Sequence, residues 1–273
     1  METQRQEARE RVIFKNVSKT YHGDHGSVKV VEDVSFKLAE GEFVSLIGPS
    51  GCGKTTMLQM LAGFVTQDTG QITLDGGPIK GPGSDRGVIF QEYGVFPWLT
   101  VEKNIDFGLS LRCNKHLESQ RKELVAHYLK LMHLNGFENA YPKHLSGGMR
   151  QRLALARAYA VNPNILLMDE PFGALDAQTR LALQLQLMEV LTEERKTVLL
   201  ITHSVEEAIF LSNRILIISA RPSKILRVVD VPFPYPRTPE LTATPEFQRL
   251  RLELEEVSMQ QYAKQQELAA ETQ

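Results

Sequence analysis

Residues 48–55, GPSGCGKT, fit the pattern G-x-x-x-x-G-K-[ST], between an apolar run, EFVSLIG (42–48), and the helically spaced TTMLQMLAGF (55–64). Glycines in such a loop allow a tight turn whose N–H groups converge on a phosphate. Lys54 supplies a point charge for β- and γ-phosphates, and the Thr55 hydroxyl suits Mg²⁺. Gly48, Pro49, Ser50, Gly51, Cys52, Gly53, Lys54, Thr55 and Thr56 are therefore the candidate phosphate contacts. A chance glycine-rich turn is the alternative, but both flanks match what the motif demands.

Three further segments end in polar residues that suit phosphate chemistry. NILLMDEP (164–171) is an apolar strand closing on two adjacent carboxylates, 115 residues after Lys54. One acid there holds a metal shell while its neighbour orients or deprotonates a water, which assigns Asp169 to the metal and Glu170 to the water. TVLLITH (197–203) has the same form and ends on His203, either a structural histidine or a γ-phosphate contact. Gln91, closing RGVIFQ (86–91), is placed to sense a metal-bound water with its neutral amide.

The segment LSGGMRQR (145–152) opens an alanine- and leucine-rich helix. Ser146 is a good N-cap, yet the N3 residue, Met149, does not complete a capping box. Arg150 and Arg152 occupy the first turns, where the helix dipole favours negative charge. With Gly147 and Gly148 allowing close approach, this helix start awaits an anion.

Buried strands and crossover helices must hold these groups. EFVSLIG, NILLMDE, TVLLITH and RILIIS (214–219) are short apolar runs alternating with helical patterns at 55–64, 146–160, 176–195 and 204–211. Such alternation predicts a parallel sheet whose strand ends share one edge. The front, with VIFKNVSKTY (12–21), VKVVEDVSFKL (28–38) and GQITLDG (70–76), predicts a smaller antiparallel β region. Residues 101–134 read as helices interrupted near Asn114, within an insert between Gln91 and Ser146. The segment 232–245, PFPYPRTPELTATP, reads as a proline-rich linker. A helical tail follows over 246–273, with Phe247, Leu250, Leu254 and Val257 spaced to pack on its own domain.

The bulk composition excludes other classes. Among 273 residues, 42% are hydrophobic and 23% charged, with a net charge of −2, so no basic field argues for nucleic acid. No run approaches the ~20 apolar residues of a membrane span. The charged beginning, METQRQEARER, lacks the apolar core of a secretory signal. Cys52 and Cys113 show no metal-type spacing and read as reduced thiols.

In order along the chain, Tyr21, the phosphate loop, Gln91, LSGGM, ILLMDE, the GALD of 173–176 and His203 resemble the ATPase subunit of ABC transporters. The resemblance spans roughly residues 12 to 225, and LSGGMRQR is its most specific element. It implies an α/β P-loop NTPase fold of the ABC cassette type. Residues 1–231 would form the ATPase domain, with a mostly parallel sheet core, an antiparallel β subdomain and a helical subdomain at about 92–145. In this family two cassettes meet head to tail, and the LSGGM helix of one caps the γ-phosphate of ATP held by the other. Ser146, Gly147 and Gly148 would then touch the partner's nucleotide, Tyr21 would stack on adenine, and Ala174–Asp176 would line the seam. ATP and Mg²⁺ are the implied cofactors.

A finer resemblance lies in DRGVIFQEYGVFPWLTVEKNIDFGL (85–109), DEPFGALDAQTR (169–180) and ITHSVEEAIFLSNRILIIS (201–219), similar to importers of nitrate, sulfonate, taurine and related small anions. It implies a peripheral subunit on the cytoplasmic face of the inner membrane, working with transmembrane permease subunits and, indirectly, a periplasmic or lipoprotein solute-binding protein. The second cassette is a copy of this chain or a paralogue. Residues 92–104 would receive a coupling helix, with Phe96, Pro97 and Trp98 as either its anchor or subdomain core. Two alternatives are a soluble ABC-type ATPase and a non-hydrolysing regulatory subunit. Against the first, Ser146 follows Gln91 by only 55 residues, too few for a long coiled-coil insertion; against the second, Glu170 and His203 are both present.

Overall fold

The computed structural model describes residues 9–23, 26–194 and 196–271. The chain divides into two units, Met1–Pro82 with Arg195–Gln273, and Gly83–Glu194. The first unit opens with strands β1 (Glu10–Gly23), β2 (Gly26–Ala39) and β3 (Phe43–Ile47), helix α1 (Lys54–Ala62), and strands β4 (Thr69–Leu74) and β5 (Gly77–Pro78). The second holds β6 (Arg86–Ile89), α2 (Val101–Leu109), α3 (Arg121–Leu131), α4 (Gly147–Ala160), β7 (Ile165–Asp169) and α5 (Ala177–Glu194). The chain returns to the first with β8 (Thr197–Thr202), α6 (Val205–Leu211), β9 (Arg214–Ile218), β10 (Ile225–Asp230) and α7 (Pro245–Glu271).

In the first unit, β1 and β2 pair antiparallel, and β4 and β5 extend the sheet on the far side of β1. Alternation buries Val12 and Phe14 on one strand and Val34, Phe36 and Leu38 on the other. Phe14 and Phe36 lie opposite and stack with centroids 4.3 Å apart, a cross-strand pair that fixes register. A bulge follows, where Asn16 and Asp33 adopt φ of 49° and 50° and the Asn16 amide donates to Asp33 Oδ1 at 2.8 Å.

Strand β3 runs parallel between β8 and β9, and β10 pairs antiparallel with β9. Every residue of β3 and β8 is buried, which is why both read as unbroken apolar runs rather than alternating ones. Parallel pairing aligns Ile47 with Thr202, so the segments beginning at Gly48 and His203 leave neighbouring strand ends.

In the second unit, β6 and β7 pair in parallel with Ile89 opposite Met168, so Gln91 and Asp169–Glu170 emerge at one edge. Between them the chain is helical. The buried Asn104 accepts from the Phe96 N–H at 2.8 Å and donates to the carbonyls of Phe96, Leu99 and Thr100, each at 3.0 Å. One satisfied amide thus shapes the whole 96–100 turn. The interruption near Asn114 is present: its φ of −105° breaks the helical run, and its Nδ2 bonds the Gly108 carbonyl at 2.8 Å.

The 232–245 segment is pinned to the first unit. The Arg237 guanidinium is buried and donates to the carbonyls of Ile209, Phe210 and Phe233. Helix α7 buries Phe247 and Leu254 and packs against α6.

Candidate nucleotide-binding site

The phosphate loop follows the buried end of β3. Gly53 stands at φ +125°, outside the range of side-chain-bearing residues, and caps α1 with no side-chain acceptor. The first turn of α1 contains no acidic residue, so the positive end of its dipole keeps its attraction for an anion. Lys54 is only 5% exposed, and its ammonium donates to the carbonyls of Gly48 at 2.7 Å and Pro49 at 2.8 Å. An ammonium has three donors, and these bonds use two. A buried positive charge held by two neutral carbonyls at the start of a helix fits a polyphosphate.

Thr55 is exposed at the helix start, an oxygen donor suited to Mg²⁺. Cys52 is buried, and burial pushes its thiol pKa up, which keeps it protonated and inert. A Cβ on Gly53 would stand 2.7 Å from Ser223 Oγ and 2.8 Å from Val30 Cγ1. Gly53→Ala is therefore expected to distort the loop and weaken ATP binding at least about tenfold, since backbone strain of this kind costs about 1–3 kcal/mol. Nucleotide titration alongside circular dichroism checks it; unchanged affinity in a folded variant would contradict it.

His203 is exposed just beyond β8, and its surroundings are ordered by two short-range bonds. Thr202 Oγ1 accepts from the Ser204 N–H at 3.0 Å, and Ser204 Oγ caps α6 by accepting from the Glu207 N–H at 3.2 Å. Tyr21 lies on β1 opposite Val28, two residues from the Val30 that lies against Gly53. Its ring is 40% exposed, available for stacking, with Lys19 Nζ 5.6 Å from its centroid. Tyr21, the phosphate loop and His203 thus belong to one unit.

The second unit carries Gln91, Ser146, Gly147, Gly148, Asp169 and Glu170. Glu170 has φ +46°, a left-handed conformation uncommon for a residue with a long side chain. The chain turns there, with the Gly173 N–H bonding the Glu170 carbonyl at 3.2 Å. Strain of this kind, directly after a buried strand, marks a carboxylate held where it would not settle by itself. Past Gln91 two adjacent residues, Tyr93 at φ 60° and Gly94 at φ 61°, are also left-handed and turn the chain.

Ser146 caps α4, its Oγ accepting from the Met149 N–H at 3.3 Å, and the first turn has no acidic residue. Arg150 folds back to the helix start, where it bonds the Leu145 carbonyl at 2.8 Å and lies over the Tyr93 ring. The two glycines differ. A Cβ on Gly148 would meet Thr179 Cγ2 at 2.6 Å, so close packing of α4 on α5 requires glycine there. At Gly147 the nearest atoms would be 3.5 Å and 3.7 Å away, ordinary contact that the chain itself tolerates. Asp176 caps the next helix, and the Thr179 N–H holds its carboxyl below the usual range.

Arg157, which sequence reasoning passed over, joins the LSGGM helix to the loop after Gln91. It donates to the Gly94 carbonyl and lies 4.2 Å from the Phe96 ring centroid, and burial lowers its pKa to about 10. Its only signal was a charge inside LALARAYA.

A glycine-rich loop with a buried lysine at a parallel strand's end, and a carboxylate pair closing another buried strand, define a P-loop nucleotide-binding protein. The family model described as ABC transporter matches residues 31–173. The aliphatic sulfonates import ATP-binding protein SsuB of Bacillus cereus is 48% identical over 227 residues, covering 83% of this chain and 88% of that protein. A Brucella abortus (strain 2308) relative, whose name goes no further than ATP-binding protein, is 47% identical over 241 residues, 88% of this chain and 90% of its own. The dimeric ATP-binding cassette MJ0796, in a post-hydrolysis state bound to ADP and Pi, superposes with a TM-score of 0.69 at 32% identity, covering 81% of this chain and 99% of that one. The chain belongs to the ABC transporter family, and its fold class is the cassette type that the sequence implied.

Proposed function

We propose that this chain binds and hydrolyses ATP with Mg²⁺, powering an importer for a small organic anion of the aliphatic sulfonate class. The observation that carries it is the start of α4. A helix N-terminus capped by Ser146, with no acid in its first turn, sits beside a Gly147 whose lack of a side chain its own packing does not require. Such a start suits the triphosphate of another cassette, a copy of this chain or a paralogue, which would bring its own Lys54.

Lys54 and the loop amides grip the β- and γ-phosphates while the Tyr21 ring takes the adenine face. Thr55 in the first unit, and Asp169 and Gln91 in the second, each offer a hard oxygen suited to Mg²⁺, which when bound neutralises phosphate charge. Glu170 takes the proton of the attacking water, His203 donates to the γ-phosphate, and Ser146 with the Gly147 and Gly148 N–H groups stabilises the charge that develops. Closure and reopening of the pair would drive permease subunits at the cytoplasmic face of the membrane, with a solute-binding protein delivering cargo. Trp98, 70% exposed and 5.4 Å from the Phe96 ring, provides an anchor for a permease helix. Among the described residues no helix is long and apolar enough to cross a membrane.

Support for the substrate class is the sulfonate-importer name of relatives at 46–48% identity. Deleting the gene in its own host is expected to reduce uptake of a radiolabelled alkanesulfonate to about a tenth or less, given the weight of a catalytic base. The parent gene restores uptake and Glu170→Gln does not. Undiminished uptake in the deletion strain would overturn the substrate assignment.

A further inference from the structure

The first unit contains a chain of contacts running from its last helix to the phosphate loop. After β9 the segment 219–224 makes a tight turn, closed by the Ser219 N–H on the Lys224 carbonyl at 3.0 Å and the Lys224 N–H on Ser219 Oγ at 2.9 Å. From this turn Arg221 reaches the phosphate loop, donating Nε and Nη2 to the Gly51 carbonyl at 3.2 Å and 2.8 Å. Two residues on, Ser223 Oγ bonds the Cys52 carbonyl at 2.9 Å. The turn is held in its own place by α7: Gln265 Oε1 accepts from the Arg221 N–H at 2.8 Å, and the buried Gln261 Oε1 accepts from the Ala220 N–H at 3.3 Å.

Arg221 is exposed, and a cleft of about 370 Å³ opens beside it, lined also by Leu226, Gln261, Lys264 and Glu267. Hydrogen bonds rather than surrounding bulk therefore determine where the guanidinium sits. The bond it makes fixes the peptide between Gly51 and Cys52. In a trans peptide the C=O and N–H point to opposite sides. Drawing the carbonyl outward to Arg221 turns the Cys52 N–H inward, where it lies 3.4 Å from the Pro49 carbonyl. A charged donor on the carbonyl also polarises that N–H and strengthens its bond to Pro49, which closes the loop that must receive the phosphates.

We propose that Arg221 is a positioning residue for the phosphate loop and that α7, through Gln265 and Gln261, sets its position and so tunes nucleotide affinity. This rests on the nucleotide-binding reading above. The probe is a fluorescent ADP analogue, whose binding needs no second cassette, titrated into the full chain and its Gln265→Leu, Arg221→Gln and Arg221→Lys variants.

Gln265→Leu and Arg221→Gln are expected to weaken binding about tenfold, the weight of one charged hydrogen bond. For Gln265→Leu, KM for ATP rises by a similar factor while kcat changes less than about twofold. Arg221→Lys, which keeps the charge and can give the Gly51 carbonyl one bond in place of two, recovers part of the affinity. In a Cys113→Ser background, Cys52 reacts faster with a thiol reagent in the weakened variants. A merely structural role would lower thermal stability with no change in affinity or Cys52 reactivity, and that result overturns the proposal. Parent protein that binds no ADP analogue would remove the nucleotide reading and this inference together; parent binding with unaltered variants removes this inference alone.

Discussion

Glu170→Gln is expected to cut ATP turnover by about a thousandfold while leaving ATP affinity within about threefold, since a general base contributes roughly 10²–10⁴ to rate. The amide keeps the size and shape of the carboxylate, and at φ +46° glutamine meets the same backbone demand as glutamate. What it loses is the capacity to take a proton. Asp169, one residue earlier on the strand, is untouched, so the acid assigned to Mg²⁺ remains. The variant should therefore fill with ATP and stall, and with Mg·ATP it should sediment as a closed pair where the parent is mostly monomeric. Phosphate release, nucleotide titration and analytical ultracentrifugation separate these effects. Parent-level turnover, from protein free of contaminating ATPase, would strip Glu170 of its role. An affinity loss larger than the turnover loss would mean that Glu170 holds nucleotide rather than activating water.

The residues that the sequence made legible are those whose meaning is local. Lys54 follows its glycines within one loop, and Asp169 and Glu170 close a run whose unbroken apolarity requires burial on both faces. The parallel arrangement was legible for the same reason, as EFVSLIG and TVLLITH leave no polar face. Strand β10 was not: ILRVVD mixes exposed and buried positions, and only its pairing with β9 gives it order. The bulge joining Asn16 to Asp33 depends on register between strands, which neither strand carries alone. Gly147 and Gly148 are identical in the sequence, and it takes the packing of Thr179 to separate a structural glycine from one with open space. Arg157, Arg221 and Arg237 escaped notice because each bonds a backbone carbonyl distant in the chain, and carbonyls have no sequence signature. The prolines of 232–245 suggest a spacer, whereas Arg237 fastens that stretch to the carbonyls behind α6.

Lys54→Met is the other change with a large expected effect, and here binding and folding should part company. Two terms oppose each other in the fold. The carbonyls of Gly48 and Pro49 lose their donor, at about 1–3 kcal/mol for a buried unsatisfied group. Against that, a methionine of similar length no longer requires a charge to be desolvated, and removing a buried ammonium recovers a comparable amount. The melting temperature without nucleotide should consequently move by only a few degrees. Binding has no such compensation. A unit charge about 4 Å from a phosphate oxygen is worth about 4 kcal/mol at the effective dielectric of a partly exposed site, so ATP affinity should fall roughly 10²–10³-fold. ATP at about 100 times the parent's Kd stabilises the parent by about 2.7 kcal/mol through mass action, and the same concentration should leave the variant nearly unshifted. Calorimetric melting with and without Mg·ATP reads both effects in one experiment. A variant whose melting point rises with ATP as the parent's does would show that the phosphates are held elsewhere. Lys54→Arg serves as the companion test: its planar fork is too broad for a seat 2.7–2.8 Å from two carbonyls, so charge alone should not restore the ATP-induced shift.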